Sequence, residues 1–274
     1  MAGVPLQFDD SAAYERFMGR WSRAAAPVFL DWLAVHARAR WLDVGCGTGI
    51  LAEAILEFCA PESVHAIDSA PAQIAAAAQG PAAGRAQFQE GDAQQLPFAD
   101  ASFDAVASAL AINFIPDPAR GLAEMRRVAR RGGLIAGYVW DFAEEFSPSG
   151  PLRQAMRRLG IEVPAIPGAE ASRLKSLQLL FAAAALEKVE TCTIDVCLAY
   201  GDFKDFWHAQ TPAYAPTTKV IAAMTGRERM RLMRAVESAL PSGPGGVIEY
   251  HARANAIKAR VPRGDRGSIS ARSG

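Results

Sequence analysis

The sequence is poor in cysteine and histidine, has no surplus of charge and contains no long apolar run. Its 274 residues include four cysteines, four histidines, and 29 basic against 29 acidic side chains. Balanced charge gives no electrostatic reason to expect nucleic acid or an anionic membrane as a partner. No stretch reaches the ~18 apolar residues of a membrane span, and no targeting pattern follows Met1. We therefore expect a cytoplasmic protein, with its oligomeric state left open.

The four cysteines lack the spacing of a metal or redox site. Cys46, Cys59, Cys192 and Cys197 form no C-x-x-C pair, and no histidines stand beside them to complete a zinc site. We therefore expect free thiols and no metal. Half of the residues are hydrophobic, which is enough to bury the core of one large α/β domain.

A glycine-rich segment stands out from this background. Gly45, Gly47 and Gly49 occupy alternate positions after the apolar pair Trp41-Leu42. Glycine tolerates positive φ and lets the backbone approach a ligand closely. Taken alone, the pattern also fits a helix packed tightly on a sheet without any ligand. The dinucleotide-binding pattern G-x-G-x-x-G needs a glycine at position 50, which is Ile50, so an oxidoreductase is disfavoured.

Two further predicted strands end near a carboxylate. Asp68 ends the segment 63–68, about twenty residues after the glycines, and is suited to accept hydrogen bonds from both hydroxyls of a ribose. Asp92 follows the segment 86–90, where it is suited to accept from the exocyclic amine of adenine while the Ala93 amide donates to the ring. The alternative interpretations are a helix cap for Asp68 and an ordinary turn for Asp92.

Strands and helices alternate without a break through the first half of the chain. A fourth strand is predicted over 102–108, and a helix begins at Pro118 and ends near the segment 131–133. A fifth strand follows over 134–140. This alternation predicts a parallel sheet with ligands at the carboxyl ends of its strands.

These ordered motifs resemble those of class I S-adenosylmethionine-dependent methyltransferases, of the type 11 or ubiquinone/menaquinone-biosynthesis-like branch. The segments that carry the resemblance are 42–49, 67–69, 91–93, 96–98 and 102–104. The resemblance implies a Rossmann-like, seven-stranded, mostly parallel sheet with helices on both faces, an antiparallel last strand and a lid. It implies S-adenosylmethionine as cofactor. The residues expected to bind it are Asp43, Gly45, Cys46, Gly47, Gly49, Asp68, Ser69, Asp92, Ala93 and Ser108.

The segment 14–22 resembles the N-terminal signature of the same branch, which folds over the cofactor. By this resemblance Tyr14, Arg20 and Ser22 are expected to reach the carboxylate or methyl end of S-adenosylmethionine, since arginine offers a planar fork to a carboxylate. The segment also has the pattern of an amphipathic helix with Phe17 and Trp21 packed at i and i+4. The two interpretations are compatible.

The second half supplies the expected domain plan. We expect one domain over 1–260 and a disordered tail over 261–274. The cap is 10–37, the core is 38–140, 176–200 and 247–260, and the lid insertions are 141–175 and 201–246. A helix over 178–187 and a sixth strand over 189–194 are predicted. The polar alternation in a seventh strand over 247–256 is typical of a sheet edge.

The insertions are rich in aromatic residues. They form either an apolar pocket wall or simple packing of the lid onto the sheet. His208 is a candidate general base, because imidazole titrates near neutral pH. The residues of this aromatic set are Phe142, Phe146, Phe203, Phe206, Trp207 and Tyr214.

Transfer of a methyl group from a sulfonium needs alignment and exclusion of water more than a dedicated catalytic side chain. The segment 108–115 lacks the N/D-P-P-Y/F motif of enzymes that methylate amide or adenine nitrogens. We therefore expect methyl transfer to carbon or oxygen of a small, partly apolar molecule, while a nitrogen or a protein side chain stays open as acceptor. The alternatives are a non-catalytic S-adenosylmethionine-binding module and a nucleotide-dependent oxidoreductase.

Overall fold

The computed structural model describes residues 14–213 and 215–263, which form a sheet flanked by helices on both faces. The strands are β1 (Arg40–Val44), β2 (Ser63–Asp68), β3 (Gln87–Glu90), β4 (Phe103–Ala109), β5 (Ala129–Trp140), β6 (Glu187–Tyr200) and β7 (Ile248–Arg260). The α-helices are α1 (Arg20–Leu33), α2 (Ile50–Phe58), α3 (Pro71–Ala77), α4 (Pro118–Val128), α5 (Gly150–Arg158), α6 (Leu174–Ala183), α7 (Phe203–Gln210), α8 (Pro216–Ala222) and α9 (Gly226–Glu237). A π-helical turn (Glu15–Gly19) precedes α1, and short 3₁₀ turns span Ile112–Phe114, Glu170–Ser172 and Pro244–Gly246.

The seven strands lie in the order β3-β2-β1-β4-β5-β7-β6. Only β7 runs antiparallel to its neighbours, β5 and β6. This confirms the predicted Rossmann-like, mostly parallel sheet with an antiparallel last strand. The order reverses between β1 and β4, and in such folds a crevice forms outside the carboxyl ends of the strands at that point.

Alternate residues of the strands face two separate apolar layers, because successive strand side chains point to opposite sides of a sheet. Trp41 packs on one side with Trp21 and Phe29 of α1. Leu42 packs on the other side in a cluster that includes Leu122 of α4, together with residues of α6. The buried faces of these helices hold them on the sheet and fix the loops at its carboxyl edge.

The prediction that the seventh strand lies at an edge is wrong. β7 pairs with β5 on one side and β6 on the other, so β6 is the edge strand. The polar alternation has another cause: Glu249 and His251 are exposed on one face of the sheet, whereas Ile248 and Ala252 are buried on the other. A half-buried inner strand and an edge strand thus carry the same pattern.

The fifth strand begins earlier than predicted. α4 ends at Val128, and β5 starts at Ala129, so the predicted helix end near 131–133 belongs to the strand. Its register with β4 shifts after the pair of Phe103 with Ala129, which makes this stretch irregular. Gly132 has φ +73°, and its amide donates to the carbonyl of Val261. Gly132 and Gly133 therefore form a bulge in β5 and do not end the preceding helix. The helix predicted over 178–187 lies at Leu174–Ala183.

None of the helices within 14–213 and 215–263 combines the length and apolar character needed to cross a membrane. The tail predicted to be disordered lies outside the described residues from 264 onward, as do residues 10–13 of the predicted cap.

Candidate functional site

The glycine loop lies at the carboxyl end of β1 and leads into α2. Gly45 has φ +76°, and a Cβ there would lie 2.3 Å from the Cβ of Ala111. Gly49 has φ +89°, and a Cβ there would come within 3.0 Å of the ring of Phe88. Both positions require glycine for conformation and for space. A Cβ at Gly47 would meet no atom of the described residues within 4 Å, so this part of the loop faces open space.

Asp68 anchors the loop from the end of β2. Its Oδ2 accepts from the amide of Gly47 at 2.8 Å, and its Oδ1 accepts from the amide of Ala70 at 2.9 Å. Each carboxylate oxygen can accept a second hydrogen bond. Asp68 therefore has acceptor capacity left for ribose hydroxyls, and this role stays a prediction. Ser69 beside it is exposed.

Asp43 is the most unusual group of the site. Its side chain is fully buried at the end of β1, and neither carboxylate oxygen has a hydrogen-bond partner in the described parts of the chain. Burial and the nearby charge of Asp68 raise the pKa of Asp43 to about 8, although the amide of Ala52 acts in the opposite direction. A buried carboxylate without partners is costly, which points to a cationic or hydrogen-bonding ligand that completes it.

A cavity of about 30 Å³ opens between the loop, the strand ends and the N-terminal segment. This volume holds about one water molecule, so a larger ligand requires the surrounding residues to move. Six of the predicted residues are brought together here, whereas the other six lining residues were not predicted: Thr48, Ile50, Leu51, Ala109, Leu110 and Tyr138. The sequence gave one indication for Tyr138, which is a bulky aromatic residue near the end of the predicted fifth strand. The lining residues are Tyr14, Ser22, Asp43, Gly45, Cys46, Gly47, Thr48, Ile50, Leu51, Ala109, Leu110 and Tyr138.

The N-terminal segment covers this cavity and is tied to the glycine loop. Glu15 accepts a short hydrogen bond from the hydroxyl of Thr48 and pairs with Arg23 at 2.9 Å. Arg23 also pairs with Glu53 of α2 at 2.6 Å. These bonds hold Tyr14 over the loop, where burial raises the pKa of its phenol to about 12 despite the opposing effect of Ser22.

Two predicted residues lie away from the cavity. The guanidinium of Arg20 donates to the carbonyl of Ala199 at 3.0 Å and lies 4.6 Å from the ring centre of Tyr200. It therefore faces β6 and not the glycine loop, because the helical turn between Tyr14 and Arg20 separates their directions. His208 is exposed on α7 and does not line the cavity.

Six other predicted positions do not line the cavity: Gly49, Asp68, Ser69, Asp92, Ala93 and Ser108. Asp92 is exposed and accepts from the amide of Gln94 at 2.8 Å, and this bond lowers the pKa of Asp92. Ala93 beside it is half-buried. The hydroxyl of Ser108 is buried at the end of β4 and has no partner within the described ranges.

Cys46 is unsuited to act as a nucleophile. Burial, together with the charges of Asp43 and Asp68, raises the pKa of its thiol well above the usual value, so it stays protonated. All four cysteines are free. Among residues 14–213 and 215–263 no group of three or more histidine, cysteine, aspartate or glutamate side chains could hold a metal ion.

The described residues of the insertions 141–175 and 201–246 do not line the cavity. Their aromatic side chains divide into buried and exposed ones. Phe206 is fully buried and Phe203 packs beside it, whereas Phe146 is 48% exposed. Tyr214 lies outside the described residues.

The fold and the site define a class, and comparison with known proteins identifies it. Residues 42–137 match the family model described as a methyltransferase domain. Over this part, which includes the glycine loop and ends within β5, the chain is similar to class I methyltransferase domains of the type 11 branch.

Two curated relatives illustrate the extent of the similarity. A demethylmenaquinone methyltransferase of Deinococcus radiodurans is 40% identical over 117 residues, which are 42% of this chain and 47% of that relative. The chloroplastic 2-methyl-6-phytyl-1,4-hydroquinone methyltransferase 2 of Oryza sativa subsp. japonica is 37% identical over 117 residues, or 42% of this chain and 34% of the relative. The alignments thus span less than half the length of these relatives.

The fold also matches solved structures. Phosphoethanolamine N-methyltransferase 2 of Haemonchus contortus, in complex with S-adenosyl-L-methionine, superposes with a TM-score of 0.57 at 17% identity. The match covers 95% of this chain and 61% of that one. At this identity the likeness concerns the fold alone.

Proposed function

We propose that the protein binds S-adenosylmethionine at the glycine loop and transfers its methyl group to carbon or oxygen of a small, partly apolar molecule. The observation that carries the proposal is the buried carboxylate of Asp43, unpartnered within the described ranges, beside Gly45 and Gly49, which have no room for a side chain. S-adenosylmethionine carries a sulfonium and an ammonium group, so it brings the positive charge that this carboxylate lacks. A nicotinamide dinucleotide would place its pyrophosphate at the glycine loop and would offer no cation to Asp43 there.

The remaining residues fit the other parts of the ligand. Asp68 has free acceptor capacity for ribose hydroxyls, and Asp92 is ionised and exposed at the end of β3, where an adenine amine can donate to it. The strand order places Asp92, Asp68 and Asp43 on successive neighbours β3, β2 and β1. An elongated ligand laid across these three strand ends would reach all three carboxylates.

When bound, the cofactor supplies an activated methyl group on a positively charged sulfur. The residues of this chain then have to hold and align the partners. Tyr14 and Tyr138 line the cavity beside Asp43, and burial raises the pKa of both phenols, so both stay protonated hydrogen-bond donors. Alignment of this kind can lower a barrier by several kcal/mol, up to ~7–11 in the best cases.

The nature of the acceptor is inferred from relatives. The two curated relatives are named for demethylmenaquinone and for a phytylated hydroquinone. Both compounds are small and largely apolar, in agreement with the balanced charge of this chain. A cytoplasmic location and the absence of nucleic-acid partners stay predictions.

Isothermal titration with S-adenosylhomocysteine tests the cofactor, and transfer of labelled methyl from S-adenosylmethionine to small hydroquinones, phenols, carboxylic acids and amines tests the activity. We expect binding of S-adenosylhomocysteine without binding of NAD, and a labelled product on carbon or oxygen. Copurification of a nicotinamide or flavin cofactor would contradict the proposal. Tight cofactor binding with no labelled product from any acceptor would instead favour a non-catalytic binding module.

Asp195→Ala provides a matched control for variants of the site carboxylates. Asp195 is exposed on the edge strand and pairs with Arg253 at 3.1 Å, away from the glycine loop. Its loss should leave the affinity for S-adenosylhomocysteine unchanged, because an exposed ion pair contributes little.

A further inference from the structure

The side chain of Arg153 on α5 is a buried cation in the insertion 141–175. Arg153 is 8% exposed, and its guanidinium has neither an ion pair nor a hydrogen bond within the described ranges. Two other arginines of the same helix differ: Arg157 pairs with Glu145, and Arg158 donates to Gln154 at 3.3 Å, although both are exposed. The most buried arginine of α5 is thus the one that lacks a partner among the described residues.

The burial of Arg153 is not compensated by its surroundings. Burial lowers the pKa of its guanidinium, and no charge or hydrogen bond from the described residues opposes this effect. A long side chain often buries its stem and keeps its charged head in water, but a residue that is 8% exposed offers little water to its five N–H donors. None of its nitrogens is fully enclosed, so the guanidinium keeps an opening to the outside. A buried charge is stabilised by a counter-charge, which points to an anionic ligand.

The beginning of α5 lies at the edge of the sheet where the cofactor cavity opens. β5 ends at Trp140, and its register with β7 places Tyr250 four residues beyond that end. The hydroxyl of Tyr250 donates to the carbonyl of Ser147 at 3.0 Å, which holds the segment before α5 at this place. The ring of Tyr250 also lies 5.8 Å from that of Trp21 on α1, the helix that carries the cavity residue Ser22. The start of α5 therefore lies on the same edge and the same side of the sheet as the cavity.

The first turn of α5 is suited to an anion. Side chains of an α-helix tilt towards its N-terminus, so Arg153 reaches back over this turn. The N-terminus of a helix carries a partial positive charge. The hydroxyl of Ser149, the residue before the helix, makes no capping bond and lies 3.2 Å from the hydroxyl of Ser147. A guanidinium, a helix N-terminus and two hydroxyls therefore meet at one end of α5.

The charge at this place favours a carboxylate over a phosphate. Arg153 supplies one positive charge, and no second charged group of the described residues acts on it. A carboxylate balances that charge, whereas a doubly charged phosphate would leave a buried negative charge without a partner. The planar fork of a guanidinium also matches the two oxygens of a carboxylate.

We propose that Arg153 binds a carboxylate group of the methyl acceptor and so anchors the acceptor at the start of α5. The inference rests on the proposed function and adds a charged group to the small, partly apolar acceptor. Arg153 does not line the cofactor cavity, so this carboxylate is an anchor and is not the methylated atom. Acceptor and cofactor should therefore bind together without competing.

The test is titration with hexanoate and its neutral analogue hexanamide, with and without S-adenosylhomocysteine. We expect the wild type to bind hexanoate roughly tenfold more tightly than hexanamide, because hydrogen bonds between charged groups are the strong ones. Hexyl phosphate, a dianion at pH 8, should bind less tightly than hexanoate. Arg153→Met should abolish the preference for hexanoate, and Arg153→Lys should keep part of it, because lysine retains the charge without the planar fork. Both variants should bind S-adenosylhomocysteine as the wild type does.

Arg158→Met is the matched control, because Arg158 is an exposed arginine of the same helix. It should leave the preference for hexanoate unchanged. In the empty protein Arg153→Met should raise the midpoint of thermal unfolding by roughly 2–4 °C, since it removes a buried charge that has no partner. A lower midpoint together with a kept preference would give Arg153 a structural role and overturn the proposal.

Equal binding of hexanoate and hexanamide by the wild type would also overturn the anchor, as would tighter binding of hexyl phosphate than of hexanoate. Displacement of S-adenosylhomocysteine by hexanoate, or weaker binding of S-adenosylhomocysteine by Arg153→Met, would assign the carboxylate to the cofactor and contradict the proposal. Absence of S-adenosylhomocysteine binding in the wild type would overturn the proposed function instead. The preference for hexanoate is measured without the cofactor as well, so the two failures are distinguishable.

Discussion

The buried carboxylate of Asp43 predicts that cofactor binding releases a proton. With a pKa of about 8 in the empty protein, this carboxyl is about 90% protonated at pH 7, whereas a bound cation requires the ionised form. Binding of S-adenosylhomocysteine at pH 7 should therefore release about 0.9 proton, and the release should fall to about 0.1 at pH 9. The affinity contributed by Asp43 should weaken about tenfold per pH unit below 8.

The release is measured by isothermal titration in buffers of different ionisation enthalpy, between pH 6 and 9. Asp43→Asn removes the titrating group, so its binding should be weaker and should release no proton through this position. Asp195→Ala should release the same number as the wild type. A flat affinity for the wild type together with no proton release would refute the reasoning.

The raised pKa of Asp43 also predicts how the stability of the empty protein changes with pH. The folded pKa of Asp43 lies above its unfolded value of 3.8, so the folded state holds this proton more tightly. The contribution of Asp43 to the free energy of unfolding is complete below pH 4 and is lost as pH rises towards 8. Thermal unfolding of the empty protein should show this loss, and Asp43→Asn should suppress it.

Four further predictions concern other parts of the molecule. Asp68→Ala should weaken S-adenosylhomocysteine binding roughly tenfold by calorimetry, since it removes two ribose acceptors; an unchanged affinity would contradict that role. Glu15→Ala should raise the cofactor dissociation rate about three- to tenfold in stopped-flow experiments, because it frees the N-terminal segment; an unaltered rate would show that Glu15 does not hold this segment over the cofactor. His208→Ala should leave methyl transfer unchanged; a fall of about 100-fold or more would restore a general-base role. Phe181→Ala should cost about 3–5 kcal/mol of unfolding free energy in denaturant titrations without changing cofactor affinity, and a smaller cost would mean that α6 is loosely packed.

The elements around the glycine loop were predictable because their signals are local. Apolar runs, glycines and acidic strand ends follow one another within the first 140 residues, and β2 matches its predicted bounds of Ser63–Asp68. The irregular start of β5 was not predictable, because a glycine pair ends helices and forms bulges equally well. Whether β7 lies inside or at the edge depends on its pairing with β6, which its own alternation does not encode.

The residues of the site were likewise predicted only in part from the sequence. Asp43 and Gly45 were expected because their motif is continuous in the sequence, and they do line the cavity. Tyr138 was missed, since its place depends on the register of β5 against β4. Arg20 was expected at the cofactor, but its guanidinium contacts Ala199 of β6. A helix turns each side chain by a fixed angle, so Tyr14 and Arg20 of the segment 14–22 point in different directions. The unpaired state of Asp43 appears only once its neighbours are in place.

The N-terminal helix that covers the cofactor cavity is held by the last strands of the chain. α1 packs against β6, and Lys258 of β7 donates to the carbonyl of Trp32 at 2.9 Å. During synthesis, at about 5–20 residues per second, α1 leaves the ribosome roughly 10–45 s before β7 does. The nascent chain can therefore form the glycine loop and the contacts of α1 with β1 and α2 early, whereas the contacts of α1 with β6 and β7 form only after these two strands have been synthesised. A product that stops before β6 would thus leave the part of α1 that packs on β6 and β7 exposed to chaperones and proteases.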